Sequence, residues 1–307
     1  MTPGVVVSGT GGVWQVRTEM GEMVDASMRG RLKLDRDAPG GHAPLKLAVG
    51  DDVELERAAE GDAWAIARIL PRRSQLARRE PGGRHGHRII AANVDQVVIV
   101  FSAASPQPHL RMLDRFLVIA EANALSARVI VNKSDLVGGA AAARAPFAAY
   151  AAVGYPLHTI SVVRGEGLDE VRAALAGRRS VVTGPSGVGK SSLMNALYPG
   201  LNLRVGEVSE SVNKGRHTTV GALLHPLADG GAIIDTPGLR EVGLWALPAD
   251  ELAACFPEFR PLLGHCRFRD CSHLIEPGCA VLEGVGGAIA RERYDSFVQL
   301  RADLSAP

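Results

Sequence analysis

The segment Gly-Pro-Ser-Gly-Val-Gly-Lys-Ser at residues 184–191 constrains the fold of this 307-residue chain more than any other feature. It follows an apolar run at residues 180–183 and precedes a helical stretch that begins at Lys190. Glycines at this spacing let successive backbone N–H groups wrap a phosphate, while Lys190 reaches the outer phosphates and the Ser191 hydroxyl binds Mg²⁺. The segment therefore predicts a strand, a phosphate loop and a helix within an α/β domain. The alternative is a glycine-rich turn that caps an ordinary helix.

Apolar runs alternate with helical stretches through the middle of the chain. The runs are residues 96–103, 128–135, 180–184 and 231–235, and residues 110–123 form one of the helical stretches between them. This alternation predicts a mainly parallel sheet, which binds ligands at the carboxyl ends of its strands.

The first 70 residues show a different pattern. Short apolar runs separated by Gly, Asp and Pro turns lie at residues 4–7, 13–16, 45–47, 53–55 and 64–69. They predict a small antiparallel β-barrel, in which Trp14 and Trp64 are expected in the core, with base stacking as the alternative. Residues 71–88 then hold six arginines opposed only by Glu80, which we interpret as an exposed basic linker.

The tetrapeptide Asn132-Lys133-Ser134-Asp135 ends one of the central runs. A carboxylate at Asp135 can accept two hydrogen bonds from the N1 and N2 positions of guanine, whereas adenine offers no such pair of donors. Ser161 follows the run at residues 157–160 and is expected to support this contact. Beside a phosphate loop, the tetrapeptide predicts a site selective for guanine nucleotides.

A third motif, Asp235-Thr-Pro-Gly238, follows the run at residues 231–235. Asp235 is expected to hold Mg²⁺ through a water molecule, and the Gly238 N–H to meet the γ-phosphate. Upstream of it, Thr218 and Thr219 are candidates to complete the Mg²⁺ shell, although a plain polar loop is the alternative.

The residue after this motif is Leu239, which cannot orient a water molecule by hydrogen bonding. Many GTPases have a glutamine at this position. Either another group such as His217 positions the attacking water, or intrinsic turnover is slow and a partner completes the site. The alternative for His217 is an incidental loop histidine.

The order of these motifs is unusual, because the guanine motif at residues 132–135 precedes the phosphate loop by about fifty residues. The sheet can still assemble, since the position of a strand in space need not follow its position in the chain. The order predicts a circularly permuted GTPase domain whose Asp235 motif leads directly into the C-terminal segment.

All four cysteines lie in the last fifth of the chain. Cys266, Cys271 and Cys279, together with His273, supply three thiolates and one imidazole, which is a complete tetrahedral set for a structural Zn²⁺. His265 is an alternative ligand, and the remaining Cys255 is expected to be a buried small apolar residue.

Composition limits the other possibilities. The net charge of +1 is far from that of a protein that coats nucleic acid, so any RNA contact must come from local basic patches. The N-terminus lacks the pattern of a secretory signal, and no twenty-residue apolar stretch is present. We therefore expect a cytoplasmic protein without a membrane span.

These motifs, taken in their order, resemble one family. A predicted barrel, the guanine motif, residues 184–192, Gly-Arg-His-Thr-Thr at 215–219, Asp-Thr-Pro-Gly-Leu at 235–239 and the cysteine pattern are similar to the small ribosomal subunit biogenesis GTPase A family. The resemblance covers nearly the whole chain. It implies an OB-fold barrel (1–75), a basic linker (76–92), a circularly permuted GTPase domain (93–243) and a small helical zinc-binding domain (244–307).

The resemblance also implies roles for residues, cofactors and partners. It implies a monomer that binds the small ribosomal subunit and its rRNA, and that hydrolyses GTP to GDP late in maturation when the ribosomal particle stimulates it. The implied catalytic residues are Lys190 and His217, the zinc ligands are Cys266, Cys271, His273 and Cys279, and Ser191 and Thr219 bind Mg²⁺. The GTP-binding residues expected from the motifs and the resemblance together are Asn132, Lys133, Asp135, Ser161, Gly184, Pro185, Ser186, Gly187, Val188, Gly189, Lys190, Ser191, Ser192, Thr218, Thr219, Asp235 and Gly238.

Two other functions stay open on the sequence. One is a nucleotide-dependent scaffold that holds GTP and barely hydrolyses it, which Leu239 favours. The other is an ATPase or kinase built on the same phosphate loop, which would require Asp135 to have no influence on the choice of base.

Overall fold

The computed structural model describes residues 1–29, 47–57, 63–79, 87–203, 222–236 and 247–305. Its N-terminal part is a closed barrel with the strand order β1-β2-β3-β5-β4. The pair β3 and β5 is parallel, and the other pairs are antiparallel. The strands are β1 (Thr2–Thr10), β2 (Val13–Thr18), β3 (Met23–Met28), β4 (Asp52–Arg57) and β5 (Trp64–Ile69). Within the described ranges, no helix combines the length and the apolar content needed to cross a bilayer.

The barrel encloses a small aliphatic core. Its fully buried members are Val6, Val16, Val53, Leu55 and Ile66. Val16, Val53 and Leu55 alternate with polar residues along their strands, as expected where one face of a strand is buried. Burial of one such side chain contributes about 1.5–3 kcal/mol to the free energy of folding. Trp14 and Trp64 are half-buried and pack against this core, as their apolar bodies require.

One barrel strand was absent from the predicted apolar runs. Strand β3 directs Val24 and Ala26 into the interior and packs Met28 against the same core, but only one of these three residues is β-branched, so its sequence gives a weak strand signal. The predicted run at residues 45–47 lies mostly outside the described residues, and Leu47 is buried without belonging to a strand.

The segment interpreted as an exposed basic linker is partly a hairpin. Strands β6 (Gln75–Arg79) and β7 (His87–Ala92) pair in antiparallel fashion, and Leu76, Ala91 and Ala92 are fully buried. The prediction of an exposed linker is therefore wrong for these residues. Leu76 and Ala91 pack against the central domain. Apolar residues interspersed with charged ones are typical of a hairpin with one buried face.

The central sheet has six strands in the order β10-β9-β8-β11-β13-β12, and only β12 is antiparallel to its neighbour. Its strands are β8 (Gln96–Ser102), β9 (Ser126–Asn132), β10 (Leu157–Thr159), β11 (Arg179–Thr183), β12 (Leu223–Pro226) and β13 (Ala232–Asp235). The helices are α1 (Leu110–Ala122), α2 (Ala140–Arg144), α3 (Ala148–Ala152), α4 (Leu168–Leu175) and α5 (Lys190–Leu197).

Strand β8 shows why the sheet is buried on both faces. All seven of its residues are buried, and alternate residues belong to two different cores. Val97, Ile99 and Phe101 pack with α1, whereas Val98 and Val100 pack with residues of α4 and α5. A continuous apolar run is the expected sequence of such a strand.

The C-terminal part is helical and contains α6 (Ala280–Gly284) and α7 (Arg291–Ser305). Three buried rings organise its core. Phe256 and Phe259 stack with ring centroids 5.0 Å apart, and the Phe297 ring meets them edge-on at 5.6 and 5.1 Å. Cys255 is buried in the same core, as predicted.

A buried ion-pair group attaches this C-terminal part to the central domain. Arg293 of α7 bonds Asp114 of α1 and, at 2.7 Å, the carboxylate of Glu258. The three side chains are only 2–3% exposed. Burial raises the pKa of Asp114 even beside the guanidinium. Loss of Arg293 would leave two buried carboxylates unpaired, a change that costs roughly 3–5 kcal/mol.

A second polar group joins the barrel to the central sheet. Arg179, the first residue of β11, donates from Nη2 to Asp52 Oδ1 (2.7 Å) and from Nη1 to the Gly50 carbonyl (2.9 Å). Its backbone N–H donates to Asp95 at 2.8 Å. The barrel is thus fixed to the strand that leads into residues 184–191.

Candidate nucleotide site and metal centre

The predicted nucleotide-site residues meet at one edge of the sheet, where the parallel strands end. We call this the carboxyl edge. Strand β11 ends at Thr183 before the phosphate loop, β9 ends at Asn132, and β13 ends at Asp235. These strands are close neighbours in the sheet although they are far apart in the chain. Topology thus brings the separated motifs together.

The phosphate loop requires glycine at two positions. Gly184 has a φ of +136°, and a Cβ atom there would lie 2.0 Å from the Val100 carbonyl oxygen. Gly189 has a φ of +94°, and its Cβ would lie 2.5 Å from Asn132 Nδ2. Both positions combine a left-handed backbone with a close approach, which only glycine tolerates. The loop is therefore held against β8 and β9.

Helix α5 begins at Lys190, directly after this loop. The Lys190 ammonium donates to the carbonyl oxygens of Gly184 at 2.8 Å and Pro185 at 2.6 Å, so it lies within the loop's own curve. The amino end of the helix and the ammonium both present positive charge to that curve, which suits a phosphate. Ser191 and Ser192 are half-buried in the first turn of α5.

Asn132 connects the guanine motif with two other loops. Its Nδ2 donates to the Val188 carbonyl in the phosphate loop at 3.0 Å, and its Oδ1 accepts from the Val162 N–H at 3.2 Å. Lys133 donates to the Gly187 carbonyl at 2.7 Å and also bonds the Ser105 carbonyl. The first two residues of the motif thus hold the phosphate loop in place.

Sequence reasoning assigned Asn132 and Lys133 to the nucleotide and missed this role. The missed contacts span more than fifty residues along the chain. Gly189 was the one sequence feature that could have indicated this role, because a glycine there leaves room for the Asn132 side chain.

Ser161 lies against the carboxylate that was predicted to read the base. The Ser161 hydroxyl donates to Asp135 Oδ1 at 2.6 Å, and Ser161 itself is fully buried. This hydrogen bond is the main reason that the pKa of Asp135 lies below its usual value. Reciprocal backbone hydrogen bonds between Ser161 and Glu166, of 3.0 and 3.1 Å, fix the serine's loop. The arrangement keeps Asp135 ionised and oriented.

The third motif is only partly described. Asp235 ends β13 beside Val182 of β11, so its carboxylate is on the same edge as Ser191. The carboxylate at the end of β13 and the hydroxyl in the first turn of α5 are oxygen donors of the kind that Mg²⁺ prefers. His217, Thr218, Thr219 and Gly238 lie outside the described residues, as does Leu239.

The predicted zinc ligands form one compact group. The ligand atoms of Cys266, Cys271, His273 and Cys279 all lie within 4.8 Å of one another. The Cys266 and Cys279 sulfurs are 3.8 Å apart, and His273 Nδ1 lies 3.5 and 3.4 Å from them. With metal bonds of about 2.3 Å to sulfur and 2.0 Å to nitrogen, a tetrahedral site has edges of about 3.8 and 3.5 Å. The residues present therefore fit a tetrahedral metal ion.

Surrounding hydrogen bonds fix the ligand loop. The Glu276 carboxylate accepts from the backbone N–H groups of Ser272 (2.7 Å), Leu274 (3.1 Å) and Ile275 (3.1 Å). Hydrogen bonds from Ser272 and its neighbours hold the pKa of Glu276 well below its usual value. The Tyr294 hydroxyl donates to the His273 carbonyl at 2.9 Å. Sequence reasoning missed Glu276 and Tyr294, although an acidic residue between metal ligands was a usable signal.

The alternative ligand His265 does not belong to the group and is exposed. The donor set is complete with four protein ligands, which leaves no coordination position for a substrate. The group is thus suited to holding the C-terminal part together. It is not suited to catalysis.

Comparison with known proteins places the chain among close relatives. Residues 69–245 match the family model described as RsgA GTPase. Over 305 residues the chain is 61% identical to the small ribosomal subunit biogenesis GTPase RsgA of Gemmatimonas aurantiaca, with 99% of this chain and 97% of that protein covered. The protein of the same name from Moorella thermoacetica is 40% identical over 304 residues, with 99% and 97% covered.

Solved structures show the same architecture. YjeQ from Thermotoga maritima superposes with a TM-score of 0.80 at 33% identity, with 100% of this chain and 99% of that chain covered. YloQ, described as a circularly permuted GTPase, gives a TM-score of 0.74 at 27% identity, with 100% and 97% covered. The predicted barrel, permuted domain and C-terminal cysteine cluster are confirmed.

Replacing Ser161 tests the hydrogen bond to Asp135. We expect Ser161→Ala to raise the pKa of Asp135 toward the ordinary value of about 3.9, because the main cause of the lowering is removed. A carboxyl with a lowered pKa in the folded state stabilises that state above its ordinary pKa and loses this contribution as the pH falls. The variant should therefore lose its ionised Asp135 at a higher pH during acidification. Carboxyl NMR titration measures this, with the exposed Ser126→Ala as the control, and identical Asp135 titrations in both variants would contradict the expectation.

Replacing one ligand tests the metal group. We expect purified Cys271→Ala to carry almost no bound metal and to melt at a lower temperature, because three ligands no longer complete the tetrahedron. The control is Cys255→Ala, which removes a buried thiol outside the group and should keep one metal ion per chain. Elemental analysis and thermal unfolding measure both effects. A Cys271→Ala chain with full metal content would disprove the assignment.

Proposed function

The chain belongs to the RsgA GTPase family, and we propose that it acts on the small ribosomal subunit late in that particle's maturation. As a member of this family it hydrolyses GTP. We further propose that the ribosomal particle stimulates hydrolysis, and that the chain works in the cytoplasm as a monomer. The names of the relatives describe GTPases of small ribosomal subunit biogenesis, and this supports the proposal.

One observation carries the proposal: three separated motifs converge on one edge of the sheet. Asn132 joins the guanine motif to the phosphate loop, and Ser161 holds Asp135 ready for a donor pair. A phosphate loop alone would fit many nucleotides. The combination with an ionised, oriented Asp135 selects guanine.

We propose that the nucleotide lies along this edge, with its base at Asp135 and its phosphates in the loop. Backbone N–H groups of residues 184–189 would surround the phosphates, and Lys190 would offset the charge that develops on the outer phosphates. Ser191, Thr219 and Asp235 would hold Mg²⁺, which would neutralise charge on the phosphates. Thr218 and Gly238 complete the proposed contacts.

Hydrolysis requires a water molecule to attack the γ-phosphorus in line with the bond to the β–γ bridging oxygen. Leu239 provides no hydrogen bond to that water. We propose that His217 positions it once the ribosomal particle is bound, which would make hydrolysis slow in isolation. Leu239 is thus the reason that we expect a low intrinsic rate of hydrolysis.

We propose that the metal in the C-terminal group is a single Zn²⁺ with a structural role. Three thiolates and one imidazole in tetrahedral spacing support zinc over harder cations, which prefer oxygen. The ion would keep the ligand loop and α7 in a fixed relation. Arg293 of that helix then connects the module to α1.

We propose that the barrel and the C-terminal module both contact rRNA. The barrel has the strand order of a five-stranded OB-type fold, which binds nucleic acid in many proteins. Its link to β11 through Arg179 offers a route by which nucleotide state changes the grip on RNA.

Leu239 favours a second candidate function, a scaffold that binds GTP and scarcely hydrolyses it. Such a protein would release the ribosomal particle only upon nucleotide exchange. The two functions differ in whether added subunits raise the rate.

The test is phosphate release from GTP, measured with and without purified small subunits. We expect stimulation of at least tenfold, since a catalytic group supplied by a partner raises the rate of other GTPases by roughly 10³–10⁵-fold. Lys190→Ala should abolish both rates, and large subunits serve as the control particle. An unchanged rate with small subunits would reject the proposal and favour the scaffold.

A further inference from the structure

A cavity of about 310 Å³ lies at the opposite edge of the central sheet, where its strands begin. We call this the amino edge. The cavity is lined by Gln96 and Ser126 at the starts of β8 and β9, and by Arg178 just before β11. Arg128 of β9 lies beside them, and Pro257 closes the cavity from the C-terminal module. None of these residues belongs to the nucleotide site.

Arg128 is half-buried and makes hydrogen bonds only to neutral groups among the residues that the structure describes. Its Nε donates to Gln96 Oε1 at 3.4 Å, and its Nη1 lies 2.6 Å from His158 Nε2. Burial and the Arg128 charge lower the pKa of His158, so the ring is neutral at pH 7 and accepts this hydrogen bond. The guanidinium is thus fixed on two sides while its Nη2 group has no hydrogen-bond partner among the described residues.

The partners that hold Arg128 are themselves fixed. Gln96 is almost fully buried, and its Nε2 donates to the Ala174 carbonyl at 2.9 Å and to the Ser180 hydroxyl at 3.0 Å. The remaining oxygen of Gln96 is therefore directed at Arg128. Such support orients a guanidinium in advance and lowers the entropy cost of binding a ligand.

A second guanidinium faces the same cavity. Arg178 is exposed, and within the described part of the chain its side chain has no acidic partner. The two like charges act on each other, since Arg178 adds to burial in lowering the pKa of Arg128. A half-buried cation beside another cation is unfavourable unless an anion offsets them.

The carboxylates near the cavity do not supply that anion. Glu121 lines the cavity, but its Oε2 pairs with Arg260 at 2.5 Å and its Oε1 accepts from the Tyr155 hydroxyl at 2.9 Å. Glu170 is 80% exposed and lies 3.9 Å from His158 Nδ1, on the far side of that ring. The positive charges of Arg128 and Arg178 are therefore available to an anionic ligand.

We propose that Arg128 and Arg178 bind a phosphate group of the small subunit's RNA backbone at the amino edge. Guanidinium groups match the geometry of phosphate oxygens and form charge-assisted hydrogen bonds with them. A cavity of about 310 Å³ admits a phosphodiester group. This inference rests on the proposed function and adds a contact on the side of the sheet away from the nucleotide.

The contact would also bridge two parts of the molecule. Pro257 in the cavity wall is adjacent to Glu258, which pairs with Arg293 of α7. A phosphate seated there would touch both the central sheet and the C-terminal module, and it would favour one arrangement of the two.

The test is binding of the intact, metal-loaded chain to small subunits, measured by co-sedimentation with a non-hydrolysable GTP analogue over a series of salt concentrations. We compare the unaltered chain with Arg178→Gln, Arg128→Gln and the double variant. Arg111→Gln on α1 removes one exposed arginine outside the cavity and serves as the matched control. Arg178→Gln alters only an exposed side chain, so the comparison survives even if Arg128→Gln folds poorly.

We expect the double variant to bind roughly 100-fold more weakly at low salt, because each charge-assisted hydrogen bond contributes roughly tenfold or more to the affinity. The slope of log affinity against log salt should become shallower by roughly one for each arginine. Arg111→Gln should leave both quantities near those of the unaltered chain. GTP hydrolysis without subunits should be unchanged in all variants, because none of these residues lies at the carboxyl edge.

An unchanged affinity and salt slope in the double variant would overturn the inference. Calorimetry with inorganic phosphate, on chains saturated with the GTP analogue, separates the two sources of phosphate. Phosphate binding that the double variant loses, together with unchanged subunit binding, would assign the cavity to a free anion and also overturn the RNA assignment. Failure of the unaltered chain to bind subunits would reject the proposed function and this inference with it, whereas binding without a difference rejects the inference alone.

Discussion

The two hydrogen bonds of the Asn132 side chain are the interaction on which the nucleotide site depends. One reaches the phosphate loop and the other reaches the loop after β10, so a single buried amide holds three strand ends in register. Leaving these polar groups unpaired in a buried position would cost about 1–3 kcal/mol each. The glycine at position 189 is the counterpart of this amide, because any side chain there would displace it.

This link explains why a permuted chain order does not disturb the site. Among the strands of the central sheet, β8 comes first in the chain. It nevertheless lies between β9 and β11 in space, and these neighbours lead into the guanine motif and the phosphate loop. Side-chain contacts between strand ends do not depend on how the strands are connected. The permutation instead changes which segment comes after the motifs, since β13 now leads into the C-terminal module.

The ion pairs that join the barrel and the C-terminal module to the central domain differ in their burial. The Arg179–Asp52 pair is 19% and 29% exposed, and a pair of this kind contributes about 0–1 kcal/mol. The Arg293 group is almost fully buried, so removing one member is far more costly. The barrel is also attached by apolar packing, because Val7 and Val49 belong to the same core as strand β8 and helix α1.

Much of this could be predicted from the sequence because the decisive signals are local. The phosphate loop lies between its own strand and helix, and four metal ligands fall within fourteen residues. The features that escaped prediction depend on distant partners. Leu76 is buried only because the hairpin β6–β7 packs against the central domain, and β3 is a strand only because β2 and β5 pair with it. Lys133 contacts Gly187 fifty-four positions away, and no local pattern records that.

The central claim is that Asp135 selects guanine, and Asp135→Asn tests it most directly. Nucleotide affinities are measured for GTP, ATP and xanthosine triphosphate, with Asp169→Asn on the exposed surface of α4 as a control of equal charge change. An amide in place of the carboxylate cannot accept both guanine hydrogens, but it matches the altered edge of xanthine. The account predicts a loss of GTP affinity on the order of 100-fold or more, with a gain for xanthosine triphosphate. Unchanged preference for GTP in Asp135→Asn would contradict it.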